Sequence, residues 1–247
     1  MLSEKEIEIM RQNAQTHKKV FEKIREIVKV WTCAKDIDDM ALKMCQEDGV
    51  LSAFTGVYWY KYTLQTSVND VVVHGRPLAN IIFQEGDVVT FDFGVKDKTY
   101  GICTDAAFTM IIGESSKYPE KEDFLKVGEK ALKKWLEQAR AGNRVGDIGY
   151  AIQSYVEKKG YHIIKDLTGH GVGKSLHEQP YIYNYGKAGT GAVLKKWMTL
   201  AIEPILGYSS GQIIDKGDWE IYVDDGSIGC QFEHTILITD DEPEIIV

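Results

Sequence analysis

GDVVTFDFGVKDKTYGICTDAAFTMII, residues 86–112, holds two β-branched and aromatic runs on either side of a polar turn around Lys98. Runs of this kind bounded by turn residues are the strands of a hairpin. Side chains alternate along a strand, so Val88, Thr90 and Asp92 share one face and Val89, Phe91 and Phe93 the other. With the turn centred between Lys98 and Thr99, Asp92 falls opposite Asp105. Two carboxylates facing each other at roughly 4.5–5.5 Å repel unless something cationic lies between them. Each acid also has a plainer explanation alone, Asp92 opening a turn before Gly94 and Asp105 capping the next strand.

Outside this hairpin the period changes to that of helices. Ser3 and Glu6 form a capping-box pattern, and Ile7, Met10, Ala14, Phe21, Ile24 and Val28 recur at helical spacing, which predicts a helix over 4–29. A second helix is predicted over 36–48, stopping at Gly49. The helical signal returns with Phe124, Val127, Ala131, Trp135 and Ala139, and again from Ile148 to Gly160. One offset of 111 residues carries Asp36 and Ile37 onto Asp147 and Ile148, Gly49 onto Gly160, and Asp92 onto Glu203. The chain therefore reads as two related halves, about 1–112 and 113–247. No proline- or serine-rich linker parts them, and the class is α+β, with helices covering a largely antiparallel sheet.

The 247 residues, 44% of them hydrophobic, suffice for a full core. A net charge of −8 argues against a nucleic-acid footprint, and no apolar run reaches the length of a membrane span or a signal peptide. A cytoplasmic protein is expected. Cys33, Cys45, Cys103 and Cys230 lack metal-site or disulfide spacing and read as reduced thiols.

The second half has acids in similar settings. Glu203 follows LAI and precedes Pro204, which favours an extended backbone there. Glu233 interrupts the apolar run CQFEHTILI, where an isolated ionised carboxylate is costly unless the strand is an edge facing water. His170 in TGHGVGKS is flanked by glycines that allow close backbone approach. That string ends like a phosphate-binding loop, but Thr168 stands where its first glycine belongs and Pro180 follows where a helix should run. Four carboxylates and one imidazole balance two divalent cations, and oxygen-rich donors of this kind favour Mn, Fe, Co, Zn or Mg. Metal-assisted hydrolysis is the matching reaction class. His234, next to Glu233, points to the opposite strand face and reads as structural, while His17 and His162 have no acidic partner pattern.

The strings SVNDVVVHG, GDVVTFDFG, DAAFT, GHGVGKSLHEQP, AIEP and FEHTI, in this order, resemble the type I methionine aminopeptidases of the pita-bread fold, over nearly the whole chain. The resemblance implies a single catalytic domain over 1–247 and two divalent metal ions (Co, Mn, Fe or Zn). It implies Asp92 on one ion, His170 and Glu203 on the other, and Asp105 and Glu233 bridging both. By the same resemblance His74 contacts the substrate amide and stabilises the tetrahedral intermediate, His177 hydrogen-bonds the peptide carbonyl, and Glu203 shuttles the proton to the leaving amine. Trp219 matches an aromatic of the methionine pocket. Implied substrates are N-terminal Met peptides and nascent chains with a small second residue, met in transient association with the ribosome. The expectation is a monomer that binds neither DNA nor membrane. The alternatives are an Xaa-Pro dipeptidase or aminopeptidase, or a non-catalytic binding module, on the same fold. Only 33 positions run from His170 to Glu203, too few for the helical insertion of type II enzymes. YWYKYTLQT lacks the Gly-Tyr-Pro pattern common before SVND, Leu176 replaces a bulkier residue, and the loop between Asp92 and Asp105 is two residues longer than usual.

Overall fold

A computed structural model describes residues 1–247. The first half runs α1 (Glu4–Ile27), α2 (Ala34–Asp48), β1 (Leu51–Ser52), β2 (Gln65–Val68), β3 (Val71–Val73), β4 (Val88–Lys96) and β5 (Cys103–Ile111). The second begins with α3 (Pro119–Leu136), α4 (Val145–Lys158), β6 (His162–Ile163), β7 (Thr168–Gly171), β8 (Glu178–Tyr183) and β9 (Thr199–Ile202). It ends with β10 (Ile205–Gly207), β11 (Ile213–Asp215), β12 (Ile221–Val223), β13 (Gly229–Gln231), β14 (His234–Leu237) and β15 (Glu244–Ile245). α2 and α4 begin 111 residues apart, as do β4 and β9. No helix is long and apolar enough to cross a membrane.

The Ser3 hydroxyl accepts the Glu6 N–H while the Glu6 carboxylate accepts the Ser3 N–H at 2.7 Å, so the capping box starts α1. Gly49 ends α2 in the left-handed region at φ 74°, a conformation that costs glycine little. The apolar stripe of α1 lies against the β4–β5 hairpin: Phe21 meets Phe93 and Phe108 edge-on, and Asn13 Nδ2 donates to the Ile102 carbonyl at 2.9 Å. His17 is fully buried there, its Nε2 2.9 Å from Thr104 Oγ1. This packing consumes the face of the hairpin that carries Phe91, Phe93 and Thr104 and leaves the face of Asp92 and Asp105 for the interior of the site. One cluster of 54 buried residues draws on both halves.

The strand ladders are antiparallel: β1–β4–β2 with β5 beside β4, β13–β10–β6, β11–β12–β3, and β15–β14–β9–β7–β8. In the β4–β5 hairpin the register differs by two from the expected one. Asp92 faces Ala107, and Asp105 faces Gly94. The cause is Asp97, whose carboxylate accepts the Thr99 and Tyr100 N–H groups and moves the turn toward Tyr100, with Gly101 at φ 70°. An even shift preserves facing, so the two acids stay on one face but diagonally, roughly 7–8 Å apart at that pairing.

The run from Cys230 to Ile238 is likewise not one strand. It changes sheets at Phe232 and Glu233: β13 pairs with β10, and β14 pairs with β9 and β15. Between them Glu233 bridges to Ala107, its N–H donating to the Ala107 carbonyl at 2.9 Å. Ala107 is thus the partner of both Asp92 and Glu233, and the three form a row across neighbouring strands. Glu233 is buried, not at a solvated edge. Its neighbour Phe232 turns the other way against Gly128 of α3, where an added Cβ would sit 2.7 Å from the ring.

Candidate metal centre

Both halves converge on a cavity of about 300 Å³ whose walls include His74, Asp92, Asp105, His170, His177, Glu203, Trp219 and Glu233. Every residue singled out from the sequence as a ligand, catalytic group or pocket aromatic therefore lies in one place. Asp92 and Asp105 come from β4 and β5, His170 from β7, Glu203 from the end of β9, and Glu233 from the crossing between β13 and β14. Thr235 ties the two halves together: its hydroxyl accepts the Asp105 N–H at 2.8 Å and donates to the Asp105 carbonyl at 2.7 Å.

Ligand atoms of Asp105, His170 and Glu233 lie within 4.8 Å of one another. His170 Nε2 is 3.6 Å from Glu203 Oε1 and 3.9 Å from Asp105 Oδ2. These are not ion pairs. Burial, helped by the neighbouring His177, pulls the His170 imidazole down to about 4, so the ring is neutral. Its Nδ1–H donates to the Gly171 carbonyl at 2.9 Å, which leaves an unprotonated Nε2 aimed at carboxylate oxygens. Two lone-pair donors facing each other repel, and a cation between them removes the conflict.

The carboxylates show the same deficit. Burial raises Asp92 to about 7 and Asp105, Glu203 and Glu233 well above the ordinary range, and the charges of the neighbouring acids push those three further. Asp92 Oδ1, Asp105 Oδ1 and Glu233 Oε1 are buried without a hydrogen-bond donor. The single amide that serves the group is Gln231, whose Nε2 donates to Glu203 Oε2 at 3.1 Å and Glu233 Oε2 at 3.4 Å. Buried acids this poorly served by protein donors fit divalent cations, and the donor set of carboxylate oxygens with one imidazole suits hard or borderline metals.

Gln231 was not anticipated from the sequence, although its spacing of two from Glu233 was a usable signal. The wall formed by Phe54, Val57, Tyr60 and Gln65 was not resolved either. Asp38 of α2 fixes this segment by accepting the Thr63 N–H at 2.6 Å and the Leu64 N–H at 3.2 Å. Trp219 packs edge-on against Tyr60 with ring centroids 5.8 Å apart. His177 lies edge-on to His170 at 4.5 Å, and burial keeps it neutral as well. His234 faces away, its Nδ1 2.9 Å from the Val247 carbonyl, in agreement with a structural role.

His74 sits in the left-handed region at φ 62°, held by its N–H on Gln65 Oε1 at 3.0 Å. Burial lowers its pKa most, and the nearby His177 lowers it further. The next residue leaves no tolerance: a Cβ on Gly75 would lie 2.2 Å from the Thr66 carbonyl oxygen and 2.6 Å from Ser67 Cα. Both are backbone atoms that cannot yield. Gly75→Ala is expected to cost about 1–3 kcal/mol of stability, measured by urea unfolding, and to displace the His74 ring.

Comparison with known proteins gives a consistent result. Residues 8–240 match metallopeptidase family M24. A methionine aminopeptidase of Clostridium acetobutylicum is 35% identical over 242 residues, covering 98% of this chain and 95% of that protein. The crystal structure of a methionine aminopeptidase from Thermotoga maritima superposes with a TM-score of 0.95 at 38% identity, covering 99% of this chain and 97% of that one. A prolidase from Pyrococcus furiosus superposes at 0.77 with 21% identity, covering 99% of this chain and 64% of the prolidase, a likeness of fold alone.

Proposed function

The chain belongs to metallopeptidase family M24, with the pita-bread fold, and from that footing we propose that it removes N-terminal methionine from peptides and nascent polypeptides by metal-dependent hydrolysis. The observation that carries this reading is the neutral His170 Nε2 facing buried carboxylates in a cavity with an aromatic wall. Residues 1–247 act as one catalytic unit, since ligands from both halves share the cavity.

Two divalent cations would be held by Asp92, Asp105, His170, Glu203 and Glu233. When bound, such ions supply an acidified water as nucleophile and polarise the scissile carbonyl. Glu203 takes the proton from the attacking water and passes it to the leaving amine. His177 donates a hydrogen bond to the peptide carbonyl, and His74 contacts the substrate amide and stabilises the tetrahedral intermediate. Burial lowers the pKa of both rings, so both are neutral and neither repels the cations. Phe54, Tyr60 and Trp219 enclose the methionine side chain, whose polarisable sulfur suits aromatic edges. Transient ribosome contact, a cytoplasmic location and action as a monomer belong to the same proposal.

Purified protein loaded with Co, Mn or Fe should release methionine from Met-Ala-Ser and leave Ala-Pro intact. His177→Ala should lower kcat about 10²–10³-fold with metal content unchanged, the range for losing one hydrogen-bond donor to a developing oxyanion. Normal metal binding without methionine release would refute the assignment, and cleavage of Ala-Pro alone would move it to the dipeptidases.

A further inference from the structure

Beside the catalytic cavity lies a second trough of about 380 Å³, lined by Gln179, Tyr181, Tyr183, Tyr185, Thr190 and Ala192 among others. Tyr181 lines both, so the two spaces share a wall. We propose that this trough holds the polypeptide downstream of the scissile bond, as a sequence-independent subsite for long substrates. The proposal rests on the methionine-removal reading of the cavity.

The trough begins on β8, the outermost strand of its five-stranded sheet, where Gln179, Tyr181 and Tyr183 are exposed. Gln179, Tyr181 and Tyr183 alternate outward along β8, while Ile182 is buried. Alternate residues of a strand repeat every 6.6 Å or so, and an extended peptide repeats at the same interval. A side chain of the peptide can therefore fall between Tyr181 and Tyr183. Tyr185 continues the row, 5.5 Å from Tyr183 in edge-on contact. The row is anchored beneath by α4, where Gly149 lies so close to the Tyr183 and Tyr185 carbonyls that a Cβ would come within 2.5 Å of each.

Chemistry selects the occupant. Charged residues make up 27% of the chain, yet none of the 11 residues lining the trough is charged. Two cations stand at its rim, Arg144 donating to the Gly191 carbonyl at 2.8 Å and Lys165 5.7 Å from the Tyr185 ring centroid, too few for a phosphate backbone. An uncharged extended peptide does find partners. Tyrosine offers a rigid face for any apolar side chain and a hydroxyl for any backbone amide, at little entropic cost. An enzyme acting on many nascent chains must accept any sequence beyond the second residue, and this surface makes no charged demand on it.

The test compares Met-Ala-Ser with an octapeptide that begins Met-Ala-Ser and continues with uncharged residues. Tyr183 does not line the catalytic cavity. Tyr183→Ala should raise KM for the octapeptide about three- to tenfold, as expected for losing one aromatic contact, with kcat and both constants for the tripeptide unchanged. Ala192→Trp, which fills the trough from an exposed position, should act in the same way, and Tyr183→Phe should retain most of the affinity. Equal losses on both peptides, or no loss on either, overturn the subsite while tripeptide turnover upholds the catalytic reading. Failure of the unsubstituted protein to cleave the tripeptide overturns both.

Discussion

Asp105→Asn is expected to melt above its parent when both are stripped of metal, and to turn over about a thousandfold more slowly or worse when metal is supplied. The two effects have one origin. Without a cation, Asp105 is a buried carboxyl raised by its own desolvation and by the charges of Asp92 and Glu203. Its Oδ1 has no donor, and neither has Asp92 Oδ1 or Glu233 Oε1. An amide of the same shape removes one of the mutually repelling groups and brings two N–H donors to oxygens that lack them. With a cation the same change removes an anionic ligand that belongs to the tight group with His170 and Glu233. The melting temperature should rise by about 2–4 °C for each kcal/mol gained, by calorimetry in chelator. Bound metal and methionine release, assayed on the same preparation, should both collapse. An Asn variant that melts below its parent in chelator would show that the acids are not strained against one another.

The metal-free protein should also lose stability as pH rises, the reverse of ordinary acid denaturation. Burial raises the folded-state pKa of Asp92 from 3.8 to about 7, and those of Asp105, Glu203 and Glu233 also rise. Between the unfolded and folded values the native state holds more protons than the unfolded chain, so the stability slope with pH is negative. Stability from Asp92 is full below about pH 4 and fades toward pH 7, and the other three, raised as well, add to the decline. The slope should be roughly 1 kcal/mol per pH unit for each proton in play. Bound cations stabilise the ionised forms, so the metal-loaded protein should lack this decline and binding should release protons. Urea unfolding at a series of pH values, with and without chelator, measures the gap. It should widen with pH, and a gap that is constant or narrows would contradict the assignment of these acids as ligands.

The acids and His170 stood out in the sequence because an ionised group inside an apolar strand is expensive and must have a reason. Helices were equally plain, since α1 carries its cap and its stripe within a few residues of each other. What escaped was set by contacts between distant segments or by a local competitor. The register after β4 shifted by two residues because the Asp97 carboxylate captures two backbone N–H groups. The break at Phe232 and Glu233 depends on β10, β9 and α3, none of which is adjacent in sequence. The pocket wall around Tyr60 is placed by Asp38, a helical residue that a periodicity argument leaves at the surface but the structure buries. The tyrosines after Pro180 were legible only as a segment that is not a helix, and the role proposed for them rests on lying beside the cavity.

The hydroxyl of Thr235 clasping both backbone groups of Asp105 joins the last strands of the chain to the first hairpin. With that clasp undone, Asp92 and Asp105 would lose Glu233 from across the cavity, since it bridges to Ala107 beside them. The cavity is therefore whole only when the β13–β14 crossing is docked against β5, and its stability and its ligand set depend on the same contact.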